Sequence, residues 1–149
     1  MHKPLLSLTL LLTLSITAHA NNGLINVKSK HSTKETADKL EAVLVSKGMK
    51  VFARINHTEG AKNAGIDLRP TELVIFGNPK VGAPLMQCSQ LVAIDLPQKA
   101  LIWDDAAGQT WLSYNAPEYL KERHDISGCD AVIGKITKAL DNFAKAATE

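Results

Sequence analysis

Residues 69–79 read Arg69-Pro70-Thr71-Glu72-Leu73-Val74-Ile75-Phe76-Gly77-Asn78-Pro79, and this stretch decides the fold. Thr71–Gly77 is dense in β-branched and aromatic side chains, which pack well on a pleated, buried surface. Pro70 introduces the run and Asn78-Pro79 breaks it, because the residue before a proline is pushed out of helical geometry. The segment is therefore predicted as a central strand.

Upstream of it, Met49–His57 is a second expected strand, with Val51, Ala53, Ile55 and His57 on one side. Thr58–Ile66 is a short polar, glycine-containing connection with room for a helical turn or two. Before these, Ser32-Thr33-Lys34-Glu35 has the spacing of a capping box. The helix it opens places Ala37, Leu40, Val43 and Leu44 on one face and stops near Lys47-Gly48. Gly23–Lys30 alternates apolar and polar residues as a half-buried strand does.

Downstream, Gly82–Cys88 is expected to begin a helix, since Pro84 is tolerated in a first turn. Asp95-Leu96-Pro97 is a break. Ala100–Asp104 and Gln109–Tyr114 form a predicted hairpin around Asp105-Ala106-Ala107-Gly108. Asn115-Ala116-Pro117-Glu118 caps a short helix, Tyr119–His124. Ser127 is the expected N-cap of a last helix, with Asp130 reaching back. That helix runs from about Cys129 to Ala146 and buries Val132, Ile133, Ile136, Leu140 and Phe143. The order β-α-β-β-α-β-β-α-α predicts an α+β fold, a mainly antiparallel sheet with the first and last helices packed on one face.

The chain has 149 residues, net charge +2, 45% hydrophobic and 21% charged residues. That is globular composition, against disorder. The near-balanced charge supplies no concentrated basic patch, so no nucleic-acid partner is expected. Met1–Ala20 reads as a cleaved signal peptide: a basic start at His2-Lys3, an apolar run Leu5–Ile16, and Ala18-His19-Ala20 for the peptidase. The run is too short and too interrupted by Ser and Thr for a membrane span. Residues 21–149 are then expected to form a single soluble domain in an oxidising compartment, the bacterial periplasm. In that setting Cys88 and Cys129 are first read as a disulfide. Closing a loop of about 42 residues is worth about 4 kcal/mol in the chain-entropy model when the geometry is unstrained. Reactive thiols, with Cys129 activated in a first helical turn, and metal ligation remain the alternatives; no Cys-x-x-Cys occurs.

Further stretches carry a resemblance. Ala53-Arg54-Ile55-Asn56-His57, the long motif from Leu68-Arg69-Pro70 to Pro84-Leu85-Met86-Gln87, Asp95-Leu96-Pro97-Gln98-Lys99-Ala100-Leu101-Ile102-Trp103 and Trp111-Leu112-Ser113-Tyr114-Asn115 together resemble the domain-of-unknown-function 302 family. The likeness covers about Leu24 to Phe143. It implies a compact α+β fold and a tendency to form homodimers. It implies no established reaction, so it assigns no catalytic residue and no cofactor. The cysteine pair lies outside the family pattern, which favours a local, structural bridge.

Several residue groups are candidates for chemistry. His57 with Glu72 and His124 has the donor types of a two-histidine, one-carboxylate site for a metal or haem iron. His57 alone is a candidate general acid or base, against the plainer reading of a histidine satisfied at a core rim. His124, at a helix end, is also explained by the helix dipole. Arg69 at the mouth of the central strand suits a bidentate grip on a carboxylate or phosphate, or an ion pair tying down its loop. With Phe76, Asn78 and Trp103 it makes the candidate ligand-binding set. Phe76-Gly77-Asn78-Pro79 lacks the glycine spacing of a phosphate loop or a dinucleotide fingerprint. Met49, Met86 and Cys88 would suit Cu(I), without a methionine-rich run. Trp103, Trp111 and Tyr114 on the hairpin suit cross-strand stacking, a pocket or a dimer face. The expectation is an exported, non-catalytic homodimer that binds a small molecule or a periplasmic protein. Metal or haem-iron binding through His57, and catalysis by His57, are the alternatives.

Overall fold

The computed structural model describes residues 22–149, so the signal peptide expected at Met1–Ala20 lies outside the described residues. In chain order the elements are β1 (Leu24–Lys28), α1 (Thr33–Ser46), β2 (Lys50–Asn56), α2 (His57–Asn63), β3 (Thr71–Gly77), α3 (Pro79–Cys88), a 3₁₀ helix (Gln90–Asp95), β4 (Gln98–Asp104), β5 (Thr110–Asn115), α4 (Pro117–Arg123) and α5 (Asp130–Thr148). The strands form one antiparallel sheet in the order β1-β5-β4-β3-β2. Thr71–Gly77 is thus an interior strand, as its composition predicts, and α1 and α5 share one face of the sheet.

Side-chain alternation positions the core. Glu72, Val74 and Phe76 of β3, Gln98, Ala100 and Ile102 of β4, and Leu112 and Tyr114 of β5 are buried. They meet Ala37, Leu40 and Leu44 of α1 and Ile133, Ile136, Leu140 and Phe143 of α5. Each fully buried Leu, Ile or Phe contributes about 1.5–3 kcal/mol relative to exposure. Phe76 and Phe143 meet edge to face, with ring centroids 6.4 Å apart. On the opposite face, Ala53, Leu73, Ile75, Leu101 and Trp103 are half-buried and Ile55 is exposed.

Local chemistry sets the boundaries. Ser32 and Glu35 form the expected capping box of α1. Asn78 caps α3 by accepting from the Lys80 amide at 2.9 Å, so that helix starts at Pro79 rather than Gly82. Two expectations are corrected on β2. Its pairing register shifts between Val51 and Ala53, so Val51 pairs with buried Phe76 while Ala53 and Ile55 join the opposite face. His57 leaves the strand altogether: the Asn56 side chain accepts from the Glu59 amide and turns the chain into α2. A third correction concerns α5. Cys129, not Ser127, stands at its N-cap, without a side-chain capping bond, and Asp130 pairs with Lys121 instead of reaching back. Val132 is half-buried. Cys88 and Cys129 are disulfide-bonded across a Cα–Cα distance of 6.4 Å, tying the end of α3 to the start of α5.

Candidate functional site

The four candidate ligand residues fall at opposite ends of the β3–β4 pair. Trp103 lies opposite Thr71, and Gln98 opposite Phe76. Five residues of antiparallel strand separate these ends by about 17 Å. At the Thr71 end Arg69 donates through Nε to the Asp104 carbonyl at 3.1 Å. Asp104 also accepts from Thr33 and Thr110, each at 2.6 Å. Trp103 donates to the Ser113 hydroxyl at 2.8 Å, which pairs with Asn26 at 2.6 Å. These groups are spent on each other.

His57, Glu72 and His124 do not converge. His57 is exposed at the start of α2, and its ring makes no hydrogen bond among the described residues. Glu72 is buried under the helices and accepts from Arg54 Nε at 2.7 Å, not from Arg69. Arg54 also reaches Asp38 at 2.5 Å. Burial works against the Arg54 charge, but the hydrogen bonds to Glu72 and Asp38 outweigh it and raise its pKa above the ordinary guanidinium value. His124 sits near the other end of β4, its Nε2 2.5 Å from Asp95. Among the described residues no three His, Cys, Asp or Glu side chains are grouped to hold a metal ion. The two sulfurs of the bridge are committed, while Met49 and Met86 face a cleft.

Met49 and Met86 belong to an apolar cleft, distinct from a second, more polar hollow of about 270 Å³ between β1 and the end of α5. The apolar cleft has a volume of about 330 Å³, within the range of small-ligand pockets. Its floor is the end of β3 and the start of β4, with Phe76, Gly77, Pro97 and Gln98. The bulge of β2 brings Phe52 to its edge. One wall is α3 with Val81, Gly82, Leu85 and Met86; the other is α5 with Lys135, Ile136, Ala139, Leu140 and Phe143. Ala93 and Leu96 close the side. The disulfide holds the two helical walls together at one end. Among the lining residues Lys135 carries the one charge, and Gln98 is the one buried polar side chain. Gln98 is only 8% exposed, and its Nε2 has no hydrogen-bond partner among the described residues. Such an orphaned buried group costs about 1–3 kcal/mol.

Phe76 and Asn78 of the predicted set line this cleft; Arg69 and Trp103 do not. Sequence reasoning missed Gln98, Lys135 and the aliphatic wall of α5. One signal for Gln98 was present: it shares the period-two register of Ala100 and Ile102, so a buried β4 face carries an amide. Lys135 had no comparable signal, because a lysine on an amphipathic helix is ordinarily solvated surface.

Comparison with known proteins adds a family. Fluoride-specific ion channel FluC 1 of Brucella suis is 47% identical to this chain over 106 residues, covering 71% of this chain and 42% of that protein. Fluoride-specific ion channel FluC 2 of Brucella melitensis is likewise 47% identical over 106 residues, covering 71% and 39%. The chain thus spans about two-fifths of the length of these curated relatives. The crystal structure of an uncharacterized conserved protein DUF302 from Bacillus stearothermophilus superposes with a TM-score of 0.76 at 22% identity, over 85% of this chain and 98% of that one. It has the same fold. The family model described as Domain of unknown function DUF302 matches residues 25–143, from the first strand into the last helix, and the chain belongs to that family.

Proposed function

We propose that this chain is an exported, non-catalytic domain that holds a small, mostly apolar molecule in the cleft between α3 and α5 and works as a homodimer. The cleft carries the reading: an apolar space of about 330 Å³ with one buried amide lacking a partner among the described residues is suited to binding. His57, the candidate acid or base, stands exposed at the far end of β2. Export is supported by the Met1–Ala20 pattern and by the disulfide. Among the described residues no helix is long and apolar enough to cross a membrane.

Pairing is supported by the sheet face away from α1 and α5. Five strands about 4.8 Å apart and some 20 Å long present a surface on the order of 500 Å² in projection. With side-chain relief that approaches the roughly 800 Å² per partner of a standard interface. Its centre is Leu73, Ile75, Leu101 and Trp103, and a flat sheet face is self-complementary about a two-fold axis.

Native mass spectrometry of the unreduced exported protein tests these points together. The expected spectrum is a dimer lacking residues 1–20, two protons per chain lighter than the thiol form, which takes up apolar small molecules. Leu85→Trp should fill the cleft and abolish uptake; Leu73→Asp should yield monomers. A wild-type monomer sinks the pairing, and uptake undiminished by Leu85→Trp sinks the cleft.

A further inference from the structure

We infer that the cleft's ligand is a small aliphatic carboxylic acid, its body against Phe76, Leu85 and Phe143 and its carboxylate served by Gln98 and Lys135. The inference rests on the ligand-binding reading above and names the chemical class. Lys135 is the one charged side chain lining the cleft, and no carboxylate lines it. A cation entering there would lose its hydration with no counter-charge, whereas an anion is favoured. The Gln98 amide nitrogen lacks an acceptor among the described residues. The terminal torsion of a glutamine is broad and roughly two-fold, so the amide turns readily toward an incoming oxygen. A ligand carboxylate provides that oxygen and gains a charge-assisted hydrogen bond.

Size narrows the class. A volume of about 330 Å³ lies at the small end of ligand pockets, roughly 300–1,000 Å³, which suits a short acid such as octanoate better than a long-chain lipid. The lining is aliphatic and aromatic with little polar relief, so a straight or branched hydrocarbon body fits better than a sugar or an amino acid, whose hydroxyl or ammonium groups would be stranded.

The test is calorimetric titration of the unreduced wild-type chain with octanoate, octan-1-ol and octylammonium. Octanoate should bind one per chain and at least tenfold more tightly than octan-1-ol, with no measurable binding of octylammonium. Gln98→Leu should weaken octanoate about tenfold while raising the Tm of the free protein by about 4 °C, because it removes an orphaned amide. A merely structural glutamine would not move the two readouts in opposite directions. Lys135→Glu, an exposed position that leaves the core intact, should weaken octanoate more than tenfold and spare octan-1-ol. Equal affinity for all three probes, or octanoate binding unchanged in both variants, overturns the carboxylate assignment and leaves an apolar cleft. Failure of all three probes to bind overturns the carboxylate assignment and the cleft reading together.

Discussion

The two ends of the β3–β4 pair, about 17 Å apart along the strands, are built on opposite principles. At the Thr71–Trp103 end the polar groups that drew attention in the sequence have partners inside the chain, the exposed His57 ring excepted. Asp104 serves Thr33, Thr110 and Arg69, Trp103 leads through Ser113 to Asn26, and Arg54 bridges Glu72 and Asp38. At the Phe76–Gln98 end packing is incomplete, the lining is mostly apolar, and the buried Gln98 amide nitrogen has no partner among the described residues. Polar richness therefore marks scaffold in this protein, and a packing deficit marks the place for a ligand.

Measurements that break this contrast rank by size. The largest effect concerns the open end. Reducing the Cys88–Cys129 bridge, or Cys88→Ser with Cys129→Ser, should cost about 4 kcal/mol from the loop it closes. Because the bridge joins α3 to α5, it should also weaken whatever the cleft binds. Denaturant unfolding with and without reductant reads this directly, and an unchanged midpoint would show that the walls hold without the bridge.

The closed end comes next. Arg54→Ala leaves Glu72 buried without its partner and should cost about 3 kcal/mol, whereas Arg54→Leu combined with Glu72→Leu should recover most of the loss. A double variant no better than the single one would mean that the ion pair contributes more than mutual neutralisation.

Smaller effects lie in the pH limbs of stability. Burial first, and the hydrogen bond to Asp141 second, raise the Tyr114 pKa above its ordinary 10.0. The unfolded chain then loses a proton above pH 10 that the folded chain keeps. The contribution is complete below pH 10 and disappears as pH rises beyond it. Tyr114→Phe should cost about 1 kcal/mol at neutral pH and flatten the alkaline limb of a Tm–pH curve. Asp38 is the smallest case. Hydrogen bonds from Lys34 and then Arg54 hold its carboxyl below the ordinary 3.8. That contribution is present above about pH 4 and lost as pH falls through the lowered value. Asp38→Asn should flatten the acid limb slightly, and an acid limb identical to wild type would show that Asp38 adds nothing to the hold of Glu72 and Glu41 on Arg54.

Legibility in the sequence followed the range of the interaction. The Ser32–Glu35 capping box, the hairpin around Gly108 and the β-branched run of Thr71–Gly77 each act within a few residues, and each stands where the local pattern places it. The bulge at Phe52 and the turn of His57 into α2 depend on Asn56 and on pairing with β3, so period-two reading carried the strand one residue too far. Glu72, read in the sequence beside His57 and His124, is held instead by Arg54, which shares the helix-covered face of the sheet with it.

By itself the sequence determined the α+β layout, the interior strand Thr71–Gly77, the capping of the first helix and the pairing of the two cysteines as an expectation, since these follow from backbone propensity, side-chain period and parity. Only the tertiary structure decided that Phe76 and Asn78 part company with Arg69 and Trp103. It alone brought Lys135 of α5 and Gln98 of β4 to the lining of one cleft. A cleft is a failure of distant surfaces to fill the space between them, and a one-dimensional pattern carries no term for the volume left over when a sheet, α3 and α5 meet.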